Sequence, residues 1–314
     1  MEMKLPTTLA YLQVAIFMLP LLQVPTALAQ TNERNFRPLS KAKLKRNIRL
    51  LAPLDQELPK PSPGEWLDQH DEQGQSFAQY AKIRPNVLTR QRNVLYIQPI
   101  GDLSDTEQRL VRMTAAYLKA YFVCEVKTLD SIDADTIPEN ARRKHPQWGD
   151  SQLLTTHILE KILAPDLPAD AFATIAFTNQ DLWPGDGWNF VFGFAMYRDR
   201  VGVWSLYRNG DPDTSDAAFK KCLWRTVKLA THETGHMFSM RHCTHAACNM
   251  QGSNSLEESD QQPLRLCSQC HAKTVYATGC DPIKRLKALK SLCKEYGFEN
   301  EVKQYQAAIE KLTP

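Results

Sequence analysis

The chain has 314 residues, with 38 Lys and Arg against 35 Asp and Glu and a formal net charge of +3. That length can bury one sizeable core with room for extensions, and 43% hydrophobic with 23% charged residues is the balance of a soluble globular protein. So small a net charge leaves no electrostatic footprint for nucleic acid, which is not expected as a partner.

Met1 to Lys4 is a short, weakly basic start, and Leu9 to Leu22 is mostly apolar, broken by Gln13 and Pro20. Ala27-Leu28-Ala29 then forms a small-x-small cleavage site before Gln30. Residues 1–29 therefore read as a secretory signal peptide cut after Ala29. The apolar run is short for a membrane span of about 20 residues, and no cysteine stands at the junction to carry a lipid. The mature protein is expected to be secreted or periplasmic, a monomer with no stable membrane association once the signal is removed.

Residues 30–92 are rich in charge and proline, with Pro59, Pro61 and Pro63 breaking regular structure, and read as an N-terminal extension with short helices. Within it Lys41, Lys43, Lys45, Arg46 and Arg49 accompany Leu44, Ile48 and Leu51. That pattern suits a solvated helix face with its apolar side turned inward better than an anion or membrane patch. Residues 93–314 hold the remaining elements. Val94 to Ile100 is a first strand, apolar and β-branched. Asp105 to Phe122 has apolar residues at helical spacing, capped by Ser104 or Asp105. Val123 to Leu129 reads as a second strand, Gln152 to Leu163 as a second helix and Ala171 to Phe177 as a third strand. Phe190 to Tyr197 and Val201 to Tyr207 flank a turn at Arg198-Asp199-Arg200 and read as a hairpin. A helix follows over Phe219 to Met240, and two more close the chain near Pro282 to Cys293 and Glu299 to Leu312. The fold class is α/β: a twisted mixed sheet with packed helices, and a small C-terminal lobe from about residue 243.

The helix over Phe219 to Met240 carries the chemistry. Thr231 to Cys243 reads THETGHMFSMRHC, which places His232, Glu233, His236 and His242 in the pattern H-E-x-x-H-x-x-S-x-x-H. His232 and His236, four residues apart, leave the helix from one face and can share a Zn²⁺, with Glu233 beside them as a general base. His242 completes a three-nitrogen set and leaves a fourth position open for water, the mark of a catalytic zinc. Cys243, Cys248, Cys267 and Cys270 make two close pairs that read as a closed, structural four-thiolate zinc site. Two zinc ions per chain are expected. His245 and His271 sit among these cysteines, and with the thiolate set complete they read as exposed bystanders. Cys124, Cys222, Cys280 and Cys293 remain, as buried thiols or as disulfides in an oxidising compartment. Cys280 and Cys293 flank one predicted helix, which would hold them beyond the roughly 7 Å reach of a bridge.

The run H-C-x4-C-x-M followed by C-x-x-C resembles the archaemetzincins, a metzincin branch with one catalytic and one four-cysteine zinc. Met250 to Glu258 is similar to the segment after that family's Met-turn. Trp188 to Gly193 with Val201 to Ser205 is similar to the strands framing its cleft, and Gly64 to Leu67 with Gly74 to Phe77 to the N-terminal region of its longer members. The resemblance covers most of the chain from roughly Pro61. It implies a metzincin-like catalytic domain, a peptide or protein substrate and aminopeptidase activity, with Met250 packed beneath the metal and Val201 to Tyr207 as the cleft's edge strand. One residue departs from the pattern. Ser239 stands where the family has a glycine that turns the chain back through a left-handed conformation, at a cost of roughly 1–2 kcal/mol for a serine. Zinc-dependent peptide hydrolysis is the expected function, exo- or endopeptidase. A peptide-binding protein with a vestigial site would have no need of a base at Glu233.

Overall fold

The computed structural model describes residues 39–313; the signal segment read over residues 1–29 lies outside them. Helix α1, Lys41–Leu51, starts at Ser40, whose hydroxyl accepts from the Lys43 N–H. Leu44 and Leu51 are buried and the basic residues face out, as the spacing predicts. Two single-turn helices follow, α2 (Trp66–Gln69) and α3 (Phe77–Tyr80).

Strand β1 (Val94–Ile100) leads to α4 (Asp105–Phe122). Ser104 and Glu107 cap that helix reciprocally, each side chain accepting from the other's backbone N–H. Val123 ends it in the left-handed region at φ 46°, so β2 begins only at Glu125 and runs Glu125–Thr128. Then come β3 (Arg142–Lys144), β4 (Ser151–Leu154), α5 (Thr155–His157, widening into π turns over Ile158–Leu163), β5 (Ala171–Thr178), β6 (Asp181–Trp183), β7 (Gly193–Met196) and β8 (Val201–Ser205).

The main sheet has the order β2-β1-β5-β8-β7, parallel throughout except for β7, which runs antiparallel to β8. Every residue of β5 is buried, as its unbroken apolar run requires of a central parallel strand. Leu95, Ile97, Ile175 and Phe177 face the core shared with α4 and the later helices. Ile100, Ala176, Val201 and Val203 face a second core closed by Ile137 and Leu159.

Two expectations need correction here. Strand β8 lies between β5 and β7, so Val201 to Tyr207 does not form the cleft's edge; the edge strand is β7. Gln152 to Leu163 is not one helix, because its first residues belong to β4 in a three-stranded sheet of order β3-β4-β6. The cause is tertiary. Gln152 is buried, its amide donating to Asp181 Oδ2 at 2.7 Å and the Asn189 carbonyl at 2.8 Å, and accepting from Arg143 Nε. Those partners hold the residue extended against its helical neighbours.

The long helix α6 spans Asp216–Met237, three residues N-terminal of the predicted bounds, because the Ser215 hydroxyl caps the Ala218 N–H. Beyond it are α7 (Leu256–Gln261), α8 (Ser268–Thr278), α9 (Pro282–Tyr296) and α10 (Glu299–Leu312). Helix α8 escapes a reading by periodicity because it is buried nearly all round, Lys273, Thr274 and Thr278 included. No helix among the described residues is long and apolar enough to cross a membrane.

Candidate active site and metal centres

The last turns of α6 present His232, Glu233 and His236. Helix α6 stops at Met237, and Ser239 takes φ 66°, the left-handed turn that the family's glycine would make. The serine is tied down there. Its hydroxyl accepts from the Asn86 N–H at 3.1 Å, while the Asn86 amide donates to the Met237 carbonyl. The chain doubles back and His242 returns to the helix, its ring centroid 5.3 Å from that of His232 and 4.8 Å from that of His236. One nitrogen from each of the three rings lies within 4.8 Å of the others.

Hydrogen bonds fix which nitrogens converge. His232 Nδ1 meets the Asn249 carbonyl at 2.7 Å, His236 Nδ1 the Met240 carbonyl at 2.6 Å, and His242 Nδ1 the Glu72 carboxylate at 2.9 Å. A carbonyl or carboxylate only accepts, so each Nδ1 carries a proton, and in the neutral ring Nε2 is then a lone pair. His232 and His236 thus aim two lone pairs at each other 3.0 Å apart. Without a cation that contact is repulsive. With one it is close to the ~3.3 Å expected of two nitrogens each ~2.0–2.1 Å from a tetrahedral zinc. Burial pushes His232 well below the usual imidazole range and His236 down to about 3, so both are neutral, ligand-ready rings. The donor set fits zinc.

Glu233 is half-buried between the two helical histidines, and burial raises its carboxyl to about 7. Among the described residues no side chain pairs with it, so its oxygens are left for water. Tyr197, in the turn after β7, lies with its ring 5.4 Å from His236. Its phenol is pushed up by burial and by the Glu233 charge, which places it at the same mouth. Beneath the helix Met250 is fully buried against Gly235, where a Cβ would stand only 2.6 Å from the Met250 sulfur. This is the packing role expected of Met250, and it explains glycine between the two ligand histidines.

The four cysteines also come together. Their sulfurs lie within 4.8 Å of one another, all buried, with Cys243 Sγ and Cys267 Sγ 3.6 Å apart. Sulfurs ~2.3 Å from a tetrahedral zinc would stand about 3.8 Å apart. Backbone N–H groups of Met250 and Cys267 point at Cys248 Sγ, and that of Cys270 at Cys267 Sγ. Lys273, fully buried, donates to Cys270 Sγ at 3.8 Å. Four thiolates on one Zn²⁺ leave two negative charges, and a buried ammonium beside them is the compensation such a cluster needs. His245 is exposed near Asp55, as expected of a bystander. His271 is not: it is buried and turns to Arg285.

Sequence reasoning missed Glu72 and the segment around it. Trp66 sets its ring edge-on to His242 at 4.9 Å, and its backbone N–H donates to the Glu258 carboxylate. Gln75 brackets the turn, donating to the Ser239 carbonyl and accepting from the Arg241 N–H. Gly74, at φ 62°, sits so close to Thr244 that a Cβ would meet its hydroxyl at 2.3 Å. Asp71-Glu72 looks like any solvated acidic pair. The only signal was the family-like glycine and tryptophan segments on either side of it.

The family model for Peptidase family M54 matches residues 157–275, a span that takes in all seven candidate ligands. Archaemetzincin-2 of Macaca fascicularis is 35% identical over 266 residues, 73% of this chain and 71% of that protein. The chain belongs to the archaemetzincin family. Archaemetzincin-2 of Homo sapiens is similarly 35% identical, over 260 residues with the same shares. A crystal structure of the archaemetzincin of Archaeoglobus fulgidus, complexed with malonate, is 29% identical, with a TM-score of 0.45 over 57% of this chain and 99% of that one. The archaemetzincins are zinc metallopeptidases, and the chain carries candidate histidine and cysteine sites for the metal. Glu72 lies N-terminal to the part that the M54 family model matches.

Proposed function

We propose that this archaemetzincin hydrolyses peptide bonds at a zinc held by His232, His236 and His242, with Glu233 as general base. The observation that carries the reading is the fixed tautomer of the three rings: each Nδ1 is spent on an acceptor, and the three remaining nitrogens converge beside an unpaired carboxylate. Bound zinc supplies Lewis acidity, toward water and toward the scissile carbonyl. Glu233 takes the proton of the attacking water and delivers it to the leaving amine. Burial raises that carboxyl, which favours its holding the proton between the two steps. Tyr197 lines the mouth beside His236. A second zinc, on Cys243, Cys248, Cys267 and Cys270, is structural.

We read the substrate as a peptide cut at its amino end, which rests on the family resemblance. Endopeptidase action is the second reading, and one observation favours it. Among the described residues the outer side of β7 is unpaired in the sheet, so an extended peptide could add there and run past the site in both directions. Export through cleavage after Ala29 belongs to the same proposal and is checked by N-terminal sequencing of the secreted form. The function is tested with matched free and N-blocked peptides, with and without a chelator. Chelator-sensitive cleavage of free peptides alone supports aminopeptidase action, and equal cleavage of blocked ones supports the endopeptidase. Glu233→Ala should keep its zinc and lose activity by about 10²–10⁴-fold; full activity in that variant would refute the mechanism.

A further inference from the structure

Behind the cysteine cluster, between the end of α1 and helices α8, α9 and α10, lies a cavity of about 120 Å³. None of the histidines or cysteines assigned to zinc lines it. Arg285, on α9, is 2% exposed. Its Nε donates to the Tyr121 carbonyl at 2.6 Å and its guanidinium lies 4.6 Å over the Tyr121 ring. Its Nη1 meets His271 Nδ1 at 3.4 Å, and its Nη2 is buried with no partner among the described residues. No acidic side chain pairs with it among the described residues. An arginine stays charged, and burying a charge unpaired is costly.

The rest of the lining points the same way. An arginine can only donate, so His271 Nδ1 accepts and the imidazole proton sits on Nε2. That Nε2–H is also buried and, among the described residues, without a partner, in a residue 3% exposed. Arg265, 8% exposed, lines the cavity with a single bond to the Leu54 carbonyl. Gln304 also lines the cavity, its Oε1 buried with no partner among the described residues. One carboxylate is present, that of Asp55, but it is occupied by the Ser268 N–H and hydroxyl and lies near His245. Two arginines and an N–H donor therefore face a space that one engaged carboxylate does not neutralise.

We propose that this cavity binds a small oxyanion of the phosphate, sulfate or carboxylate class, with Arg285 Nη2 and His271 Nε2 as its principal donors. Guanidinium groups match such oxygens in charge and geometry. A water needs ~10–15 Å³ of such space, so the volume admits an anion of several heavy atoms. Gln304 can serve with either end of its amide, accepting from a protonated oxygen or donating to a bare one.

The test uses the full, zinc-loaded protein. It is melted in phosphate, sulfate or acetate, each against chloride at equal ionic strength. The Tm should rise with the concentration of at least one oxyanion, by about 5 °C or more at ~100 times its Kd. A response to phosphate and sulfate assigns the tetrahedral class, and one to acetate the carboxylate class. Arg285→Met should weaken that binding by about 10–100-fold and Gln304→Leu by about 3–10-fold, the usual worth of charged and neutral hydrogen bonds. An anion held by the catalytic zinc would be indifferent to both. Should Arg285→Met fail to fold, Gln304→Leu decides together with a crystal structure of the parent in saturating anion. No oxyanion response beyond chloride, a response unchanged in Gln304→Leu, or density for water alone in the cavity overturns the proposal.

Discussion

Removing the Glu72 carboxylate should weaken the histidine zinc site although Glu72 is not one of its ligands. Its two oxygens stand 2.9 and 3.1 Å from His242 Nδ1, and the side chains of His242 and Glu72 are 19% and 30% exposed. A hydrogen bond to a charged group contributes roughly 1.5–3 kcal/mol, and partial exposure places this one at the low end. At 1.4 kcal/mol per decade, Glu72→Ala should loosen zinc by about 10–30-fold, within the ~10–100-fold range for groups that orient zinc-bound histidines. Glu72→Gln keeps an acceptor and loses the charge, so about 3–5-fold is expected, a neutral bond being worth ~0.5–1.5 kcal/mol. The assay is competition with a chelator while the cysteine site stays loaded. Glu258→Gln is the control, since it loosens the same segment at Trp66 without touching a histidine. Wild-type zinc affinity in Glu72→Ala, or an equal loss in the control, would refute a role for the carboxylate itself.

Ser239→Gly relieves a left-handed serine worth roughly 1–2 kcal/mol, but it also loses the Asn86 N–H contact and adds ~0.5–1 kcal/mol of unfolded-chain entropy. The net change should lie between zero and about +1 kcal/mol, and a clear fall in Tm at equal zinc occupancy would show that the hydroxyl matters more than the strain. Elemental analysis should find close to two zinc equivalents per chain; one equivalent that survives Cys267→Ser would remove the cysteine site. For Glu233, burial raises the carboxyl to about 7, and bound zinc must pull it back down. The base works ionised, so kcat/KM should fall as pH drops through a pKa at or below 7; an acid limb centred above pH 8 would contradict the assignment. Cys248→Ser should empty the structural site and weaken catalytic zinc by about 10–100-fold, whereas unchanged affinity would make the two sites independent.

What could be read from the sequence was local or periodic. The bounds of β1 and α4 follow from an apolar run and a capped helical repeat within single segments. The seven candidate ligands were visible because metal chemistry fixes residue type and spacing together. What escaped depends on distant partners. Gln152 is extended because Asp181 and Asn189 meet its amide. Helix α8 has no polar face to betray it, since Lys273 is buried against Cys270. Glu72 stands 170 residues from the histidine it holds, and nothing in its own neighbourhood distinguishes it from a surface acid. His271 was misjudged for the same reason: its partner is Arg285, on the next helix.

The coupling of the two metal sites follows from one short stretch of chain. His242 and Cys243 are adjacent, so a proposed catalytic ligand and a proposed structural one share a peptide unit. The Cys243 N–H donates to the Met250 carbonyl at 2.7 Å, closing residues 243–250 into a loop. Cys248 anchors that loop to the thiolate cluster. The next residue, Asn249, gives its carbonyl to His232 Nδ1 and its amide to Thr231 and Tyr121, and the one after is Met250 under Gly235. The loop therefore presents one histidine of the candidate site, orients a second and packs beneath the helix that carries His232 and His236. Backbone bonds from Ala247 to the Gln56 carbonyl and from Asn249 to the Arg265 carbonyl also hold the loop, and the cysteine cluster adds its own anchors at Cys243 and Cys248. Loss of a metal from the cysteine cluster would act on His242 through the chain and on His232 through Asn249, while His236 Nδ1 would keep its own acceptor, the Met240 carbonyl.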